Sequence, residues 1–231
     1  MALDKSLLWG AWQVSLGVAL FGQLVALHFI LVRLRPFLAG ICFGFAFGNR
    51  TELLILLPIY LYLIYNESGN RDKSIRLRAC LWFLVAPCIM LLLTFCYNYL
   101  RFSSCLDFGN ARIPGVLEEP WYHRGIFSLS AVPLNFHQML TQGWKYIGHW
   151  PYFVPTGFGG SILLSSPFLL LMLRGRSRDT KKTTASWLGI ALLTSVLWVH
   201  GNPGGWQFSY RYAIELLPWM YIILLYTRPL S

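Results

Sequence analysis

The stretch that decides the fold is ACLWFLVAPCIMLLLTFCYNY, Ala79 to Tyr99. It contains no charged residue over a length that suits one crossing of a bilayer, for which about 20 helical residues are needed. In hydrocarbon a segment must satisfy its own backbone polar groups, and a helix does so. Arg71, Lys73, Arg76 and Arg78 stand just before it.

Working outward, six more apolar runs can satisfy their own backbones in the same way: Leu7 to Val32, Phe37 to Phe47, Leu53 to Tyr65, Ser161 to Leu173, Trp187 to His200 and Ala213 to Thr227. Several fall short of a full crossing, so they read as tilted helices or half-spans covered by neighbours. The composition agrees: 56% of residues are hydrophobic, 12% are charged, and the mean hydropathy is +0.52. The expected fold is an all-α integral membrane protein with about seven transmembrane or half-spanning helices, multi-pass, and resident in the cell membrane if the source is bacterial. Residues 1–231 read as a single multispan domain.

Charge sets the expected sidedness. The net charge of +10 resides in short basic clusters beside apolar runs, the pattern of the positive-inside rule. No motif for RNA or DNA accompanies it, so nucleic acid is not an expected partner. Two basic loops, Arg71 to Arg78 and Arg174 to Lys182, belong on the cytoplasmic side, with Arg33 and Arg35 a smaller third cluster. Residues 102–160 then form a large outer loop, and Phe37 to Tyr65 makes a short hairpin whose apex, Gly48 to Glu52, points outward.

The outer loop is rich in aromatic residues, which favour the headgroup layer. Within it, Leu134 to Ile147 carries Leu134, Met139, Leu140, Trp144 and Ile147 at spacings that suit an interfacial amphipathic helix. Gly40, Gly44 and Gly48 recur every four residues and give one helix a face for close packing. Pro58, Pro87, Pro167 and Pro218 predict kinks within or beside spans. No internal sequence repeat is visible, and the five cysteines show neither a disulfide framework nor metal-ligand spacing. No metal or cofactor is expected.

Three clusters carry the candidate chemistry. Arg50 and Glu52 lie between apolar runs, where ionisable residues are expensive and lean toward function; an ion pair or helix cap is the alternative. GGWQFSYRY, Gly204 to Tyr212, delivers Gln207, Tyr210, Arg211 and Tyr212 to the mouth of the last run, where a guanidinium can grip phosphate bidentately. Its competing reading is a headgroup belt with Arg211 on lipid phosphate, and Glu215 stands one turn on as a partner. The third cluster is Asn98, Tyr99, Arg101, Asp107 and Asn110, with Glu118, Glu119, His123 and His137 further along; a carboxylate there can act as a general base. No HExxH or paired CxxC spacing singles out a catalytic residue.

Four stretches in order carry a resemblance: AGICFGFAFGNRTELLILLP (39–58), YNYLRFSSCLDFGN (97–110), GGSILLSSPFLLLMLRG (159–175) and GGWQFSYRYAIELLPWMYIILL (204–225). Together they resemble the later half of GT-C superfamily membrane glycosyltransferases, the dolichyl-phosphate-mannose mannosyltransferase and aminoarabinose transferase group. The resemblance implies transfer of a sugar from a polyprenyl-phosphate carrier to an acceptor on the outer face, with Arg50 and Arg211 serving the lipid phosphate. The family's catalytic acid follows a first span that has no counterpart here, and Asp4 does not replace it. The chain therefore reads as a C-terminal portion of such an enzyme or a shortened relative. The alternatives are a non-enzymatic membrane protein that binds lipid-linked sugars or scaffolds a partner membrane subunit, and a transporter; against the transporter, no second copy of the short hairpin is visible.

Overall fold

A computed structural model describes residues 5–69, 71–109, 112–123, 125–157, 159–173, 175–202 and 209–228. The chain is mostly helical and forms two compact units, residues 1–107 and 108–231.

The first unit is built from α1 (Lys5–Leu31), α2 (Pro36–Asn49), a 3₁₀ segment (Thr51–Leu56) that runs into α3 (Leu57–Glu67), and α4 (Lys73–Phe102). Pro36 opens α2 at a position where a missing N–H is harmless. One aromatic ring from each of α2, α3 and α4 meets at the core. Phe43 lies 4.6 Å from Tyr60 and 5.6 Å from Phe83, while Tyr60 and Phe83 stack at 5.8 Å.

Close approach of α2 to its neighbours rests on glycine. A Cβ on Gly40 would run into the carbonyl oxygen of Phe83, and one on Gly48 would come within 2.9 Å of Met90 Cε. The glycine face expected from the sequence is thus occupied by α4. Ser15 Oγ of α1 donates to the Asn49 carbonyl at the far end of α2, so α1 and α2 run antiparallel.

In the second unit, short 3₁₀ turns (Val116–Glu118, Pro120–Tyr122, Leu129–Ala131) lead into α5 (Val132–Leu140) and a hairpin of β1 (Lys145–Tyr146) and β2 (Phe153–Val154). Next come α6 (Ile162–Ser165), a 3₁₀ segment (Pro167–Leu173), β3 (Arg176–Ser177) and α7 (Thr180–Val199). A 3₁₀ segment (Arg211–Leu216) then runs into α8 (Leu217–Tyr226), and β4 (Thr227–Arg228) pairs with β3. Trp219 is fully buried and packs over Gly189 of α7.

Among the described residues, three helices are long and apolar enough to cross a membrane: Gln13–Leu31, Lys73–Phe102 and Thr180–Val199. On α4, Leu81, Leu92 and Leu93 are 59–64% exposed, a face better matched to lipid than to water. The other four apolar runs form shorter or composite elements. Ser161 to Leu173 becomes four α-helical residues and a 3₁₀ segment, divided at Ser166 before Pro167.

Several expectations need correction. The amphipathic helix stops at Leu140, not Ile147: the Thr141 hydroxyl and the Gln142 amide both donate back to the His137 carbonyl, and Lys145 and Tyr146 enter the hairpin. Pro58 and Pro218 sit where a 3₁₀ segment passes into the first turn of α3 and of α8, and proline is tolerated in a first turn. Of the four, Pro87 lies in the interior of an α-helix. Both basic loops are partly helical. Lys73, Arg76 and Arg78 lie on α4, while Lys181 and Lys182 lie in the first turn of α7, whose N-cap Asp179 accepts from the Lys182 amide.

Candidate functional site

In the first unit, α2 ends where Arg50 adopts extended backbone (φ −139°, ψ 94°). The Arg50 guanidinium pairs with the Glu52 carboxylate, and the two side chains keep only 11% and 20% exposure. Mutual neutralisation makes burial of both charges tolerable, and removal of either strands the other. The pair lies at the opposite end of the unit from the basic residues. The α1–α2 turn brings Arg35 beside Arg71 and Arg78 around one cavity, whereas Arg50 is a full α2 length away.

In the second unit, Tyr210, Arg211 and Tyr212 come together with residues that sequence reading did not single out. The Tyr212 ring is buried and meets His200 edge-on at 5.9 Å and Tyr210 at 6.0 Å. His200 also meets Tyr122 at 6.0 Å and Phe127 at 5.7 Å. The Arg211 Nη2 donates to the Tyr212 hydroxyl at 3.4 Å, and its guanidinium carbon lies 5.2 Å from that ring's centre. Such a π-face contact orients a guanidinium while leaving it able to bind an anion.

Asn135 organises this cluster. Its side-chain amide donates to the carbonyls of Trp198 and His200 at 3.0 and 2.8 Å, and its carbonyl accepts from the Tyr210 hydroxyl at 3.1 Å. The buried side of α5 is accordingly mixed, with Asn135 and Gln138 inside beside Met139, whereas Leu134 and Phe136 are exposed. An apolar-face reading of α5 cannot find this, because the backbone ends that need satisfying belong to a helix 60 residues later in the chain.

Burial pushes the Tyr122 phenol up to about 12, with neighbouring Tyr212 and Glu119 adding to the rise and a hydrogen bond to Asn202 opposing it. Burial also raises Tyr210, again helped by Tyr212. The folded chain thus holds the Tyr122 proton more tightly than the unfolded one does. Its contribution to stability is intact below a pH of about 10 and is lost as pH climbs towards the folded value. Thermal melts of the wild type and Tyr122→Phe across this window should separate progressively, the wild type losing more; a constant gap contradicts the assignment.

The remaining candidates are dispersed. Arg101 is exposed, donates to the Tyr97 hydroxyl at 2.7 Å and lies over the Phe102 ring. No hydrogen bond or ion pair joins it to Asp107. His123 and His137 bond locally, to the Pro120 carbonyl and the Thr141 hydroxyl. Gln207 and Asn110 lie outside the described residues. Among the described residues, no group of His, Cys, Asp and Glu could hold a metal ion.

One local design recurs in both units. Six 3₁₀ residues, with an arginine just before them or first among them, pass directly into an α-helix with proline in its first turn: Arg50, 51–56 and Pro58 in one, Arg211 at the head of 211–216 and Pro218 in the other. A glutamate sits within each 3₁₀ segment, Glu52 and the fully buried Glu215. Sequence comparison misses the recurrence because the arginine-to-proline spacing differs by one residue.

Comparison of the chain with protein-family models, with curated proteins and with solved structures gives no match in any of the three.

Proposed function

We propose that the chain is a multi-pass integral membrane protein with a GT-C-like glycosyltransferase architecture, whose task is to hold a polyprenyl-phosphate-linked sugar donor. The observation that carries this reading is the mouth of each 3₁₀/α rod. There a half-buried arginine, with a glutamate in the adjoining 3₁₀ segment, stands at the end of its unit away from the arginine-rich turns. With those turns on the cytoplasmic side, Arg50 and Arg211 face the outer leaflet, where a lipid phosphate requires a cation. Four of the expected seven segments cross partly, as composite rods and a short hairpin.

No residue is assigned as catalytic acid, so the reading concerns donor binding. A non-enzymatic protein that binds the same lipid-linked sugar shares this site; sugar transfer by the purified chain separates the two. A role in scaffolding a partner subunit rests on the missing catalytic acid alone, because α4 covers the glycine face of α2.

The test is polyprenyl-phosphate binding by the purified chain, the wild type against Arg211→Ala and the charge-paired Arg50→Ala/Glu52→Ala. Loss of one charge-assisted contact, about 1.5–3 kcal/mol, should weaken binding roughly 10- to 100-fold. Unchanged affinity in both variants would remove the assignment.

A further inference from the structure

At the arginine-rich end of the first unit, the α1–α2 turn and the start of α4 border an open cavity of about 420 Å³. Its lining includes Arg35, Arg71 and Arg78 and no acidic residue, over an apolar floor of Phe37, Ile75 and Trp82. Phe37 and Trp82 meet edge-on at 5.9 Å. Ile75, Arg78 and Trp82 follow one another at spacings of three and four, which keeps them on one face of α4, and Arg71 stands in the turn just before that helix.

The three guanidiniums are not engaged within the protein. Each arginine is exposed, and none has a hydrogen-bond, ion-pair or ring partner among the described residues. Arg76, between them in sequence, is used differently: its Nε donates to the Tyr65 carbonyl at 2.9 Å and its guanidinium lies 3.5 Å from the Tyr65 ring centre. The first turn of α2 also lines the cavity and has no side-chain cap, so its unbonded amides add positive potential.

Three unpaired cations held together repel one another unless an anion lies between them. A freely dissolved anion has no use for the aromatic floor, whereas a lipid headgroup presents phosphate and hydrocarbon side by side. We infer that this cavity binds the phosphodiester of an anionic glycerophospholipid from the leaflet on the arginine side. The guanidiniums hold the phosphate, and the glycerol and upper acyl carbons rest on Phe37 and Trp82. The inference needs the membrane setting but not the transferase reading, and the site is separate from Arg50.

The experiment measures lipid retention on the purified full chain by native mass spectrometry. Phosphatidylglycerol is the probe, phosphatidylcholine the neutral reference and glycerol 3-phosphate the soluble phosphate. We expect phosphatidylglycerol to bind at least about tenfold more tightly than phosphatidylcholine, a preference that Arg35→Gln/Arg71→Gln/Arg78→Gln abolishes. Removal of equal charge from the other basic turn, Arg176→Gln/Arg178→Gln/Lys181→Gln, should leave the preference intact. Trp82→Ala, which keeps every charge, should weaken phosphatidylglycerol binding without creating affinity for glycerol 3-phosphate. The inference is overturned if the first triple variant retains the preference, if both triple variants lose it equally, or if millimolar glycerol 3-phosphate displaces the lipid. Helicity by circular dichroism confirms that each variant is folded before it is scored.

Discussion

Gly40→Ala should destabilise the protein by about 1–3 kcal/mol, through overpacking by a single methyl group. The new Cβ would meet the carbonyl oxygen of Phe83, a backbone atom that can retreat only if α4 moves away from α2. Such movement would open the three-ring core of Phe43, Tyr60 and Phe83, each of which is fully buried. Gly44→Ala is the matched control. Its nearest neighbour is Met90 Cγ at 3.4 Å, a flexible side chain, and alanine improves helix propensity. Thermal unfolding in detergent should lower the melting temperature of Gly40→Ala by several degrees, at about 2–4 °C per kcal/mol for a chain of this size. Equal melting of the two variants would contradict the packing of α2 on α4.

Asn135→Ala should have an effect as large or larger, about 3–5 kcal/mol, since it strands two carbonyls and a hydroxyl in a buried setting where each unmet group costs about 1–3 kcal/mol. Those groups are the Trp198 and His200 carbonyls and the Tyr210 hydroxyl. Tyr210→Phe removes one of the three bonds and should cost about 1 kcal/mol. The double variant should be no less stable than Asn135→Ala alone, because both changes break the same bond. A fully additive double variant would show that Asn135 and Tyr210 act independently.

The sequence made the helical class, the three long helices and the close-packed glycine face readable, because each is written in local pattern: length without charge, or small residues four apart. The Arg50–Glu52 pair was readable for the same reason, since two charges between apolar runs stand out. The cluster around His200 was not. Asn135 and Tyr210 are separated by 75 residues, and nothing local in LNFHQML says that Asn135 and Gln138 turn inward. The Arg35, Arg71 and Arg78 cavity joins two turns that each read as ordinary topology signals; only their convergence, set by the antiparallel return of α2 and α3, makes a site of them. The 3₁₀ segments escaped as well, because a run such as ELLILL fits an α-helix equally well by composition.

Those two segments give each rod an adjustable thread. A 3₁₀ turn advances about 2.0 Å per residue against about 1.5 Å for an α turn. Rewinding six residues into the wider form would therefore draw the mouth inward by about 3 Å. It would also swing the arginine there by roughly a third of a revolution, a screw motion that couples reach to direction. Distance measurements between a spin label at Thr51 and one on α4 would show whether the segment rewinds: a single unshifted distance contradicts it.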